Sequence, residues 1–348
     1  MKKYKIAVVG MGAVGREMVA TLEKSSLPIA EVVPMVRRNE GESVLFQGKM
    51  FYSQLIKEGS FADVDIALFS AGEDASREIA PQAVAEGAVV IDNSNAFRMN
   101  PDVPLVVPEV NPQEAGKHYG LIANPNCSTI QMLVALKPIH DIYKIKRIVV
   151  STYQAVSGTG YQAIDELKQQ SADFLGEREI THTVYPHQIA FNVLPHIDKF
   201  LENGYTKEEM KMHNETRKIF GDDEIMVTAT TVRVPVIRCH SEAVNIETEK
   251  PLPSVQDIRA LLAKAAGVVV IDDVQNNDYP LAIDCAGKHE VFVGRIRKDY
   301  TIANGLNMWV VSDNLLKGAA LNAVQIAELL AAKEWIKPAV NKKINYNG

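Results

Sequence analysis

The sequence predicts a two-domain α/β protein, in which a doubly wound parallel sheet is followed by a domain with a mixed sheet. Its 348 residues suffice for two domains of ordinary size. Over roughly the first 130 residues, short apolar strands alternate with helical segments, and a glycine-rich loop follows the first strand. From about residue 145 onward, longer β-branched runs separated by helices are typical of a mixed or antiparallel sheet.

Composition and charge exclude several functional classes. Hydrophobic residues make up 47% of the chain and charged residues 23%, and the formal net charge is −6. There is no basic tract to mark a nucleic-acid surface, and no apolar run reaches the roughly 18 to 20 residues of a membrane helix. The short apolar run near the start ends at the glycine loop, so we interpret it as a strand and not as a signal peptide.

The cysteines indicate a reducing compartment. Only three occur, at Cys127, Cys239 and Cys285, and an odd number at wide spacing predicts neither a disulfide framework nor a zinc site. We therefore expect no metal, and the cytoplasm is the simplest location.

Hydrophobic periodicity gives the order of the elements. In the first domain it predicts strands at 5–9, 31–36, 64–69, 88–91, 105–107 and 121–123, with helices at 13–24 and 75–86. In the second it predicts strands at 146–153, 226–236, 244–248, 268–271, 291–297 and 307–312, with helices at 159–175, 207–220 and 254–265. A last amphipathic helix is predicted at 314–332, and the tail at 341–348 is expected to be loose.

A dinucleotide-binding fingerprint follows the first strand and opens the first helix. It consists of Gly10, Met11, Gly12, Ala13, Val14 and Gly15. The first glycine allows the tight turn, the second lets the backbone approach a pyrophosphate, and the third permits close packing of helix on strand. The helix N-terminus attracts the negative charge. The alternative is a glycine-rich turn without a ligand, but the position between strand and helix favours a nucleotide.

The end of the second strand favours NADP over NAD. Sites for NAD usually place an acidic residue there, whereas this sequence has Val36, Arg37, Arg38 and Asn39. An arginine at this point suits the 2′-phosphate of NADP. The alternative is a solvated basic pair on a loop.

Cys127 is the candidate nucleophile. It lies in the segment NPNCST, between a predicted strand and the apolar helical run 130–136, and so at or near a helix N-terminus. Partial positive charge there favours the thiolate, which is the form that attacks a carbonyl. The alternative is a buried structural cysteine, which the polar Asn, Ser and Thr neighbours make less favourable.

At this point the sequence resembles the aspartate-semialdehyde dehydrogenase family. NPNCST is similar to that family's active-site segment, and seven further segments match in order over about residues 1–335. Before the cysteine they are GAVG, SAGEDAS, VVIDNSNAFRM and PLVVPEVN, and after it STYQAVSGTG, VRVPVIRCHSE and DNLLKGAALNAVQIAELL. Each motif alone is modest, but the ordered set is highly specific.

The resemblance implies an NADP-dependent phosphorylating reaction. In the family, the cysteine attacks the aldehyde of aspartate semialdehyde, hydride passes to NADP⁺, and phosphate cleaves the resulting thioester to give aspartyl phosphate. The physiological direction is usually the reverse, and it supplies the lysine, threonine and methionine branches. The resemblance also implies a homodimer and an NADP-binding domain at 1–127 completed by the last helix at 314–335. A catalytic and dimerisation domain is then expected at 128–313.

The resemblance carries roles onto individual residues. Besides Cys127 it implies His240 as general acid/base and Gln154 as the group that orients the substrate. The implied substrate and phosphate ligands are Arg98, Asn126, Glu208, Lys211 and Arg233. Beyond the glycine loop, the implied cofactor ligands are Arg38, Asn39, Ser70, Gly72, Ser157, Gly158 and Asn314.

Simpler roles remain open for several of these residues. A single histidine is more often a surface or satisfied core residue, and Gln154 fits an ordinary polar strand end. Glu208 and Lys211, three residues apart on one helix face, also fit a surface salt bridge. Arg233 and His240, seven residues apart, would point to opposite faces of one strand unless the chain bends near Pro235.

The sequence departs from the family pattern at two positions. Asn39 stands where the family often has serine, which weakens the preference for NADP over NAD, and Asn95 replaces a frequent serine with little expected effect. Other acyl-phosphate reductases share the chemistry, among them N-acetyl-glutamyl-phosphate reductase and glyceraldehyde-phosphate dehydrogenase. A regulatory nucleotide-binding protein without catalysis is the alternative from another class.

Overall fold

In a computed structural model, the described residues are 2–336 and 344–346. They form two compact units, of which the first holds the described residues up to Asn126 and from Ala319 onward. The second is Cys127–Gly318. The boundaries expected from the sequence were at 127 and 314, whereas in the structure Cys127 and residues 314–318 belong to the second unit.

The first unit is built on a parallel sheet. The strands of this unit, inside and outside that sheet, are β1 (Tyr4–Val9), β2 (Ile29–Val36), β3 (Ser43–Phe46), β4 (Lys49–Tyr52), β5 (Gln54–Leu55), β6 (Ile66–Phe69), β7 (Val89–Asp92) and β8 (Leu121–Ala123). Its first two helices are α1 (Ala13–Glu23) and α2 (Glu73–Ala85). The strand order β5-β2-β1-β6-β7-β8, with all neighbours parallel, confirms the predicted doubly wound sheet.

Two features of the first unit differ from the prediction. The predicted strand at 105–107 is absent: Leu105 makes only an isolated bridge to Ala123, since Pro108 cannot donate a further ladder hydrogen bond. The antiparallel pair β3–β4 was not predicted. Its turn has Gln47 and Gly48 at φ 48° and 73°, a conformation that Asn-Gly usually signals and Gln-Gly does not.

The second unit is built on a mixed sheet. Its helices are α3 (Cys127–Tyr143), α4 (Tyr161–Leu175), α5 (Lys207–Phe220), α6 (Val255–Leu262) and α7 (Ala282–Cys285). Its strands are β9 (Ile145–Gln154), β10 (Met226–Arg233), β11 (His240–Thr248), β12 (Val268–Val270), β13 (Val291–Asp299) and β14 (Gly305–Ser312). The order is β10-β9-β11-β14-β13-β12, with parallel pairs at both edges and antiparallel pairs between them.

The two faces of the mixed sheet differ in character. Alternate residues of β9 are buried, and α3 packs against β11, β13 and β14. Tyr153 points to the opposite face, where it stays 38% exposed and its ring centroid lies 5.4 Å from that of Trp309. We refer to the face beneath α3 as the inner face, and the functional side chains described below lie on it.

Two neighbouring strands have other bounds than predicted. The runs 226–236 and 244–248 were predicted as strands, whereas β10 ends at Arg233 and β11 begins at His240, four residues earlier than predicted. Because β9 lies between these strands, residues 234–239 cross over the end of β9. The concern that Arg233 and His240 face opposite sides of one strand was therefore wrong, because they belong to different strands.

The C-terminal segment changes helix type. The predicted helix at 314–332 is a π-helix at Leu316–Ala320 followed by α8 (Leu321–Ala332). Helix α8 packs against α1, and its apolar residues join the core of the first unit. The prediction of a loose tail was wrong for residues 344–346, since the Asn345 carbonyl accepts from Asn100 at 2.7 Å, and the remainder of 341–348 lies outside the described residues.

Helix α5 begins at a complete capping box. The Thr206 hydroxyl accepts from the Glu209 amide at 3.2 Å, and the Glu209 carboxylate accepts from the Thr206 amide at 2.7 Å. The same carboxylate accepts from the Thr231 amide of β10 at 3.0 Å, which ties the helix to the sheet. Within the described residues, no helix is long and apolar enough to cross a bilayer.

We expect Thr206→Ala to lower the free energy of unfolding by about 1 kcal/mol, because it removes the acceptor for an amide at the start of α5. Thr206→Ser keeps that acceptor and should stay within a few tenths of a kcal/mol of wild type. Urea denaturation followed by circular dichroism measures both variants. Equal midpoints for the alanine and serine variants would show that the cap does not stabilise the fold.

Candidate active site

The glycine loop lies at the switch point of the parallel sheet. Strand β1 has β2 on one side and β6 on the other, and the chain leaves β1 at Gly10 and β6 at Ser70. The Ser70 amide donates to the Val9 carbonyl at 2.8 Å, and its hydroxyl donates to the Gly10 carbonyl at 2.9 Å. A crevice at the carboxyl ends of such strands is where doubly wound sheets bind nucleotides.

The glycines of this loop have the space requirements of a dinucleotide site. A Cβ on Gly15 would lie 1.8 Å from the Gly10 carbonyl oxygen, so only glycine allows α1 to approach β1 this closely. A Cβ on Gly12 would meet nothing within 4 Å, which leaves its backbone open to a ligand. Gly72, with φ 86°, precedes α2 and is equally open. The residues present therefore fit a pyrophosphate.

The two arginines after β2 differ in their contacts. The Arg37 guanidinium forms an ion pair with Glu78 at 3.0 Å, across exposed side chains. Arg38 is exposed, and Asn39 adopts the left-handed conformation with φ 58°. Arg38 is the better candidate of the two for a phosphate ligand, because Arg37 already has a carboxylate partner.

Cys127 is the first residue of α3, as the sequence analysis predicted, and is partly exposed. The π-helix lies directly against it: a Cβ on Gly318 would come within 2.8 Å of the Cys127 Cβ. Only a glycine fits there without moving the thiol. The π-helix is the less common geometry and often occurs at functional sites. The sequence analysis did not single out Gly318, although it lies within the matching segment DNLLKGAALNAVQIAELL.

Three strand ends bring polar side chains together on the inner face. Arg233 and Gln154 are register partners at the ends of β10 and β9, and β11 starts beside them at His240. The backbone of Ala155 connects Arg233 on β10 to His240 on β11. Its amide donates to His240 Nδ1 at 3.0 Å, and its carbonyl accepts from Arg233 Nη1 at 2.6 Å. Arg233 and His240 are thus held by opposite ends of one residue.

These contacts define the state of the imidazole. Because Nδ1 accepts the Ala155 amide, a neutral ring carries its proton on Nε2. Burial, with the Arg233 charge in addition, lowers the pKa of His240 to about 3, so the ring is neutral at physiological pH. Among the described residues, Nε2 has no hydrogen-bond partner. It is a buried donor with an unused bond, as expected of a group that awaits a substrate oxygen.

Space beside the imidazole is kept open by Gly158. A Cβ there would lie 3.1 Å from Arg233 Nη1 and 3.3 Å from His240 Cε1. The guanidinium carbon of Arg233 lies over the ring of Tyr185, 5.9 Å from the ring centroid. Tyr185 was not predicted as a site residue. Arg233 is therefore oriented by a carbonyl and an aromatic ring and is largely buried, at 6% exposure.

Glu208 and Lys211 lie on one face of α5, as predicted, but they are not a surface pair. Glu208 is 5% exposed and bonds Lys211 at 2.9 Å. Its other oxygen accepts from the Gln154 amide at 3.2 Å, and Lys211 also donates to Asp198 at 3.0 Å. The contact with Gln154 brings the start of α5 to the same strand ends.

Helix α3 is tied to the histidine by Gln131. This residue follows Cys127 by one helical turn, and its Nε2 donates to the His240 carbonyl at 3.3 Å. The first turn of α3 therefore lies beside the first residue of β11. Asn314 ties the neighbouring loops, because its side chain exchanges hydrogen bonds with Ser157 and accepts from the Cys239 amide at 3.0 Å.

The other two cysteines are unlike Cys127. Cys239 and Cys285 are each 1% exposed, and both are free thiols. Burial raises the pKa of Cys285 to about 11, and burial together with the Asp313 charge raises that of Cys239 further still. Neither thiol has the exposure or the ionisation of a nucleophile.

The predicted residues divide between the two units. The second unit brings together the thiol helix and the strand ends, and the predicted residues in it are Cys127, Gln154, Ser157, Gly158, Glu208, Lys211, Arg233, His240 and Asn314. The first unit holds the glycine loop with Arg38, Asn39, Ser70, Gly72, Arg98 and Asn126. Arg98 is buried there and donates to the carbonyls of Asn124 and Asn93 at 2.9 and 3.0 Å. In the described part of the chain, no cluster of three or more acidic, histidine or cysteine side chains could hold a metal ion.

Two family models match the chain. Residues 5–118 match "Semialdehyde dehydrogenase, NAD binding domain", and residues 136–317 match "Semialdehyde dehydrogenase, dimerisation domain". The aspartate-semialdehyde dehydrogenase of Aquifex aeolicus is 56% identical over 339 residues, which cover 96% of this chain and 99% of that protein.

Solved structures agree with these matches. The crystal structure of aspartate semialdehyde dehydrogenase II from Vibrio cholerae, complexed with ASA, is 47% identical with a TM-score of 0.93, covering 95% of this chain and 99% of that one. The Candida albicans enzyme, solved with NADP, is 25% identical with a TM-score of 0.76, covering 96% and 100%. Fold, ordered motifs and full-length similarity agree, and the chain belongs to the aspartate-semialdehyde dehydrogenase family.

Proposed function

We propose that this chain is an NADP-dependent, phosphorylating aspartate-semialdehyde dehydrogenase that works through a thioester on Cys127. The observation that carries the proposal is the inner face of the second unit. There a thiol at a helix N-terminus is tied, through Gln131, to a buried imidazole whose Nε2 has no hydrogen-bond partner among the described residues. Such a pair is suited to attack on a carbonyl and to stabilisation of the resulting oxyanion.

The thiolate of Cys127 attacks the aldehyde carbon of aspartate semialdehyde. A sulfur–carbon bond forms, and the carbonyl oxygen gains the electron pair of the broken π bond. The Nε2–H group of His240 donates a hydrogen bond to that oxygen, because Nδ1 already accepts from the Ala155 amide. Bound NADP⁺ would supply the hydride acceptor for this carbon, and the electron pair on the oxygen then re-forms the carbonyl of the thioester. The thioester on Cys127 is then attacked by a phosphate oxygen, which releases aspartyl phosphate and restores the thiolate.

His240 acts in this scheme as a donor and not as the base for the thiol. A doubly protonated ring would set its Nδ1–H against the Ala155 N–H, and burial opposes the added charge. We assign stabilisation of the thiolate to the N-terminus of α3. In the reverse direction, the same Nε2–H donates a hydrogen bond to this oxygen while the aldehyde forms.

The charged residues complement the proposed substrate. The Arg233 guanidinium suits the α-carboxylate, and the Glu208 carboxylate suits the ammonium. Lys211 and Arg98 are assigned to phosphate, with Asn126 beside the thiol, and Gln154 orients the carbonyl through its amide. A buried carboxylate at Glu208 favours a free ammonium over an acetylated amine, so an N-acetylated substrate is the weaker alternative.

The residues proposed to hold NADP fall into two groups. The glycine loop, Ser70 and Gly72 would hold the pyrophosphate at the switch point of the parallel sheet. Arg38 and Asn39 would bind the 2′-phosphate, and the family pattern adds Ser157, Gly158 and Asn314. A catalytically inactive nucleotide-binding regulator would need no open space beside His240, yet Gly158 keeps that space open.

We propose a cytoplasmic enzyme of lysine, threonine and methionine biosynthesis that acts as a homodimer. Three cysteines at wide spacing suit a reducing compartment. The outer face of the mixed sheet, with Tyr153 38% exposed, suits a second copy of the chain, in keeping with the dimerisation-domain match.

Replacement of Cys127 by alanine should abolish phosphate-dependent reduction of NADP⁺ by aspartate semialdehyde, because no thioester can form. The matched control is Cys285→Ala, a buried thiol whose pKa is raised to about 11, and it should keep wild-type kcat. Absorbance of NADPH measures turnover, and circular dichroism checks the fold. Activity retained in Cys127→Ala would remove the nucleophile assignment.

Replacement of His240 by asparagine separates the two ring nitrogens. The asparagine oxygen can still accept from the Ala155 amide, but the Nε2 donor is lost. We expect kcat to fall about 100-fold or more, as for loss of a hydrogen-bond donor to an oxyanion. Steady-state kinetics at saturating phosphate provides the measurement, and a fall of less than threefold would rule out a proton donor at Nε2.

The basic pair after β2 offers a matched test of cofactor choice. Arg38→Ala should lower kcat/KM for NADP⁺ about tenfold or more while leaving that for NAD⁺ unchanged, since only NADP⁺ carries the 2′-phosphate. Arg37→Ala breaks only an exposed ion pair with Glu78 and should change neither value. An equal loss with both cofactors, or a larger loss in Arg37→Ala, would contradict the assignment.

A further inference from the structure

A buried carboxyl lies beside the proposed catalytic pair and has no role in the scheme above. Glu242 follows His240 by two residues on β11 and is 0% exposed. Among the described residues, neither of its carboxyl oxygens has a hydrogen-bond partner. A buried acid without a partner is costly, and a buried polar group with no partner calls for an explanation.

Sheet geometry puts Glu242 in the row next to the active site. Residues two apart on a strand share a face, so Glu242 points to the inner face with His240. Its register partner on β9 is Thr152, which in turn pairs with Thr231 on β10. The Thr152 hydroxyl accepts from the Gln154 amide at 3.3 Å. A buried polar row therefore lies directly behind the row of Arg233, Gln154 and His240.

The facing helix supplies a matching polar group. Gln131 on α3 already uses its Nε2 to hold the His240 carbonyl at 3.3 Å. Its Oε1 is buried and, within the described chain, unpartnered. Burial raises the pKa of the Glu242 carboxyl, and the nearby Gln131 amide lowers it by less, so the two side chains are neighbours, although neither carboxyl oxygen has a hydrogen bond among the described residues. The Gln131 side chain and the Glu242 carboxyl each keep an oxygen without a hydrogen-bond partner among the described residues.

The protonation state of Glu242 makes these groups complementary. Burial raises the pKa of this carboxyl well above its usual range, which favours the protonated form. A protonated carboxyl is a hydrogen-bond donor, and Gln131 Oε1 is an acceptor. Such a bond requires the Gln131 side chain to turn its Oε1 towards the carboxyl. With it, Gln131 bridges the backbone of His240 and the side chain of Glu242.

We propose that Glu242 is a positioning residue whose carboxyl O–H donates to Gln131 Oε1 and so fixes α3, which begins at Cys127, against β11, which begins at His240. The bond sets the distance and angle between the Cys127 thiol and the His240 ring. It touches neither substrate nor cofactor. This inference rests on the proposed function, because it matters only if those two residues act as a pair.

The test compares a variant that keeps the donor with one that removes it. Glu242→Gln has nearly the same shape and still offers an N–H to Gln131, so kcat should stay within about threefold of wild type. Glu242→Leu fills the space without a donor and should lower kcat about 10- to 100-fold, the usual cost of misplacing reacting groups. KM for aspartate semialdehyde should stay within about twofold, because the substrate ligands are untouched.

A second variant on the helix guards against a folding defect in Glu242→Leu. Gln131→Met removes the acceptor together with the Nε2 donor to the His240 carbonyl, and it should lower kcat at least as much as Glu242→Leu. The double variant should be no worse than Gln131→Met alone, since that variant has already lost the bond to Glu242. Additive losses, wild-type kcat in Glu242→Leu, or a Gln variant as impaired as the Leu variant would overturn the proposal. Activity in Cys127→Ala tests the proposed function separately, so the two failures are distinguishable.

Discussion

The hydrogen bond from the Ala155 amide to Nδ1 of His240 is the interaction on which the second unit's chemistry depends. It leaves Nε2 as the protonated nitrogen, and burial keeps the ring neutral. The same residue's carbonyl holds Arg233, so one peptide orients both a proton donor and a carboxylate ligand. A rigid backbone group achieves this orientation without the entropy cost of ordering a long side chain.

That peptide is available because of the chain's path across the sheet. Strand β9 ends at Gln154, and the segment between β10 and β11 crosses over this end. The crossing brings together the ends of β9 and β10 and the start of β11. The Gln131 bond to the His240 carbonyl holds the first turn of α3, which begins at Cys127, beside them. Gly158 and Gly318 leave room where a Cβ would crowd the histidine or the thiol. The site therefore requires glycine at these two positions as well as its polar side chains.

The elements that sequence predicted well are those with strong local signals. Alternating apolar strands and helices identified the parallel sheet, and the turn chemistry around Cys127 located the start of α3. The crossing at 234–239 was missed because its β-branched residues continue the strand pattern of β10, although Pro235 cannot donate to a ladder. Tyr185 and Gln131 were missed because their contacts join positions far apart in sequence. Glu242 has an ordinary strand position, and only its burial reveals it.

The proposed chemistry requires that Cys127 carries the acyl group. Mass spectrometry tests this on enzyme quenched in acid after incubation with aspartate semialdehyde and NADP⁺ but no phosphate. We expect an aspartyl adduct on the peptide that contains Cys127, lost when phosphate is added before the quench. An adduct on Cys239 or Cys285, or turnover with no adduct on any cysteine, would contradict it.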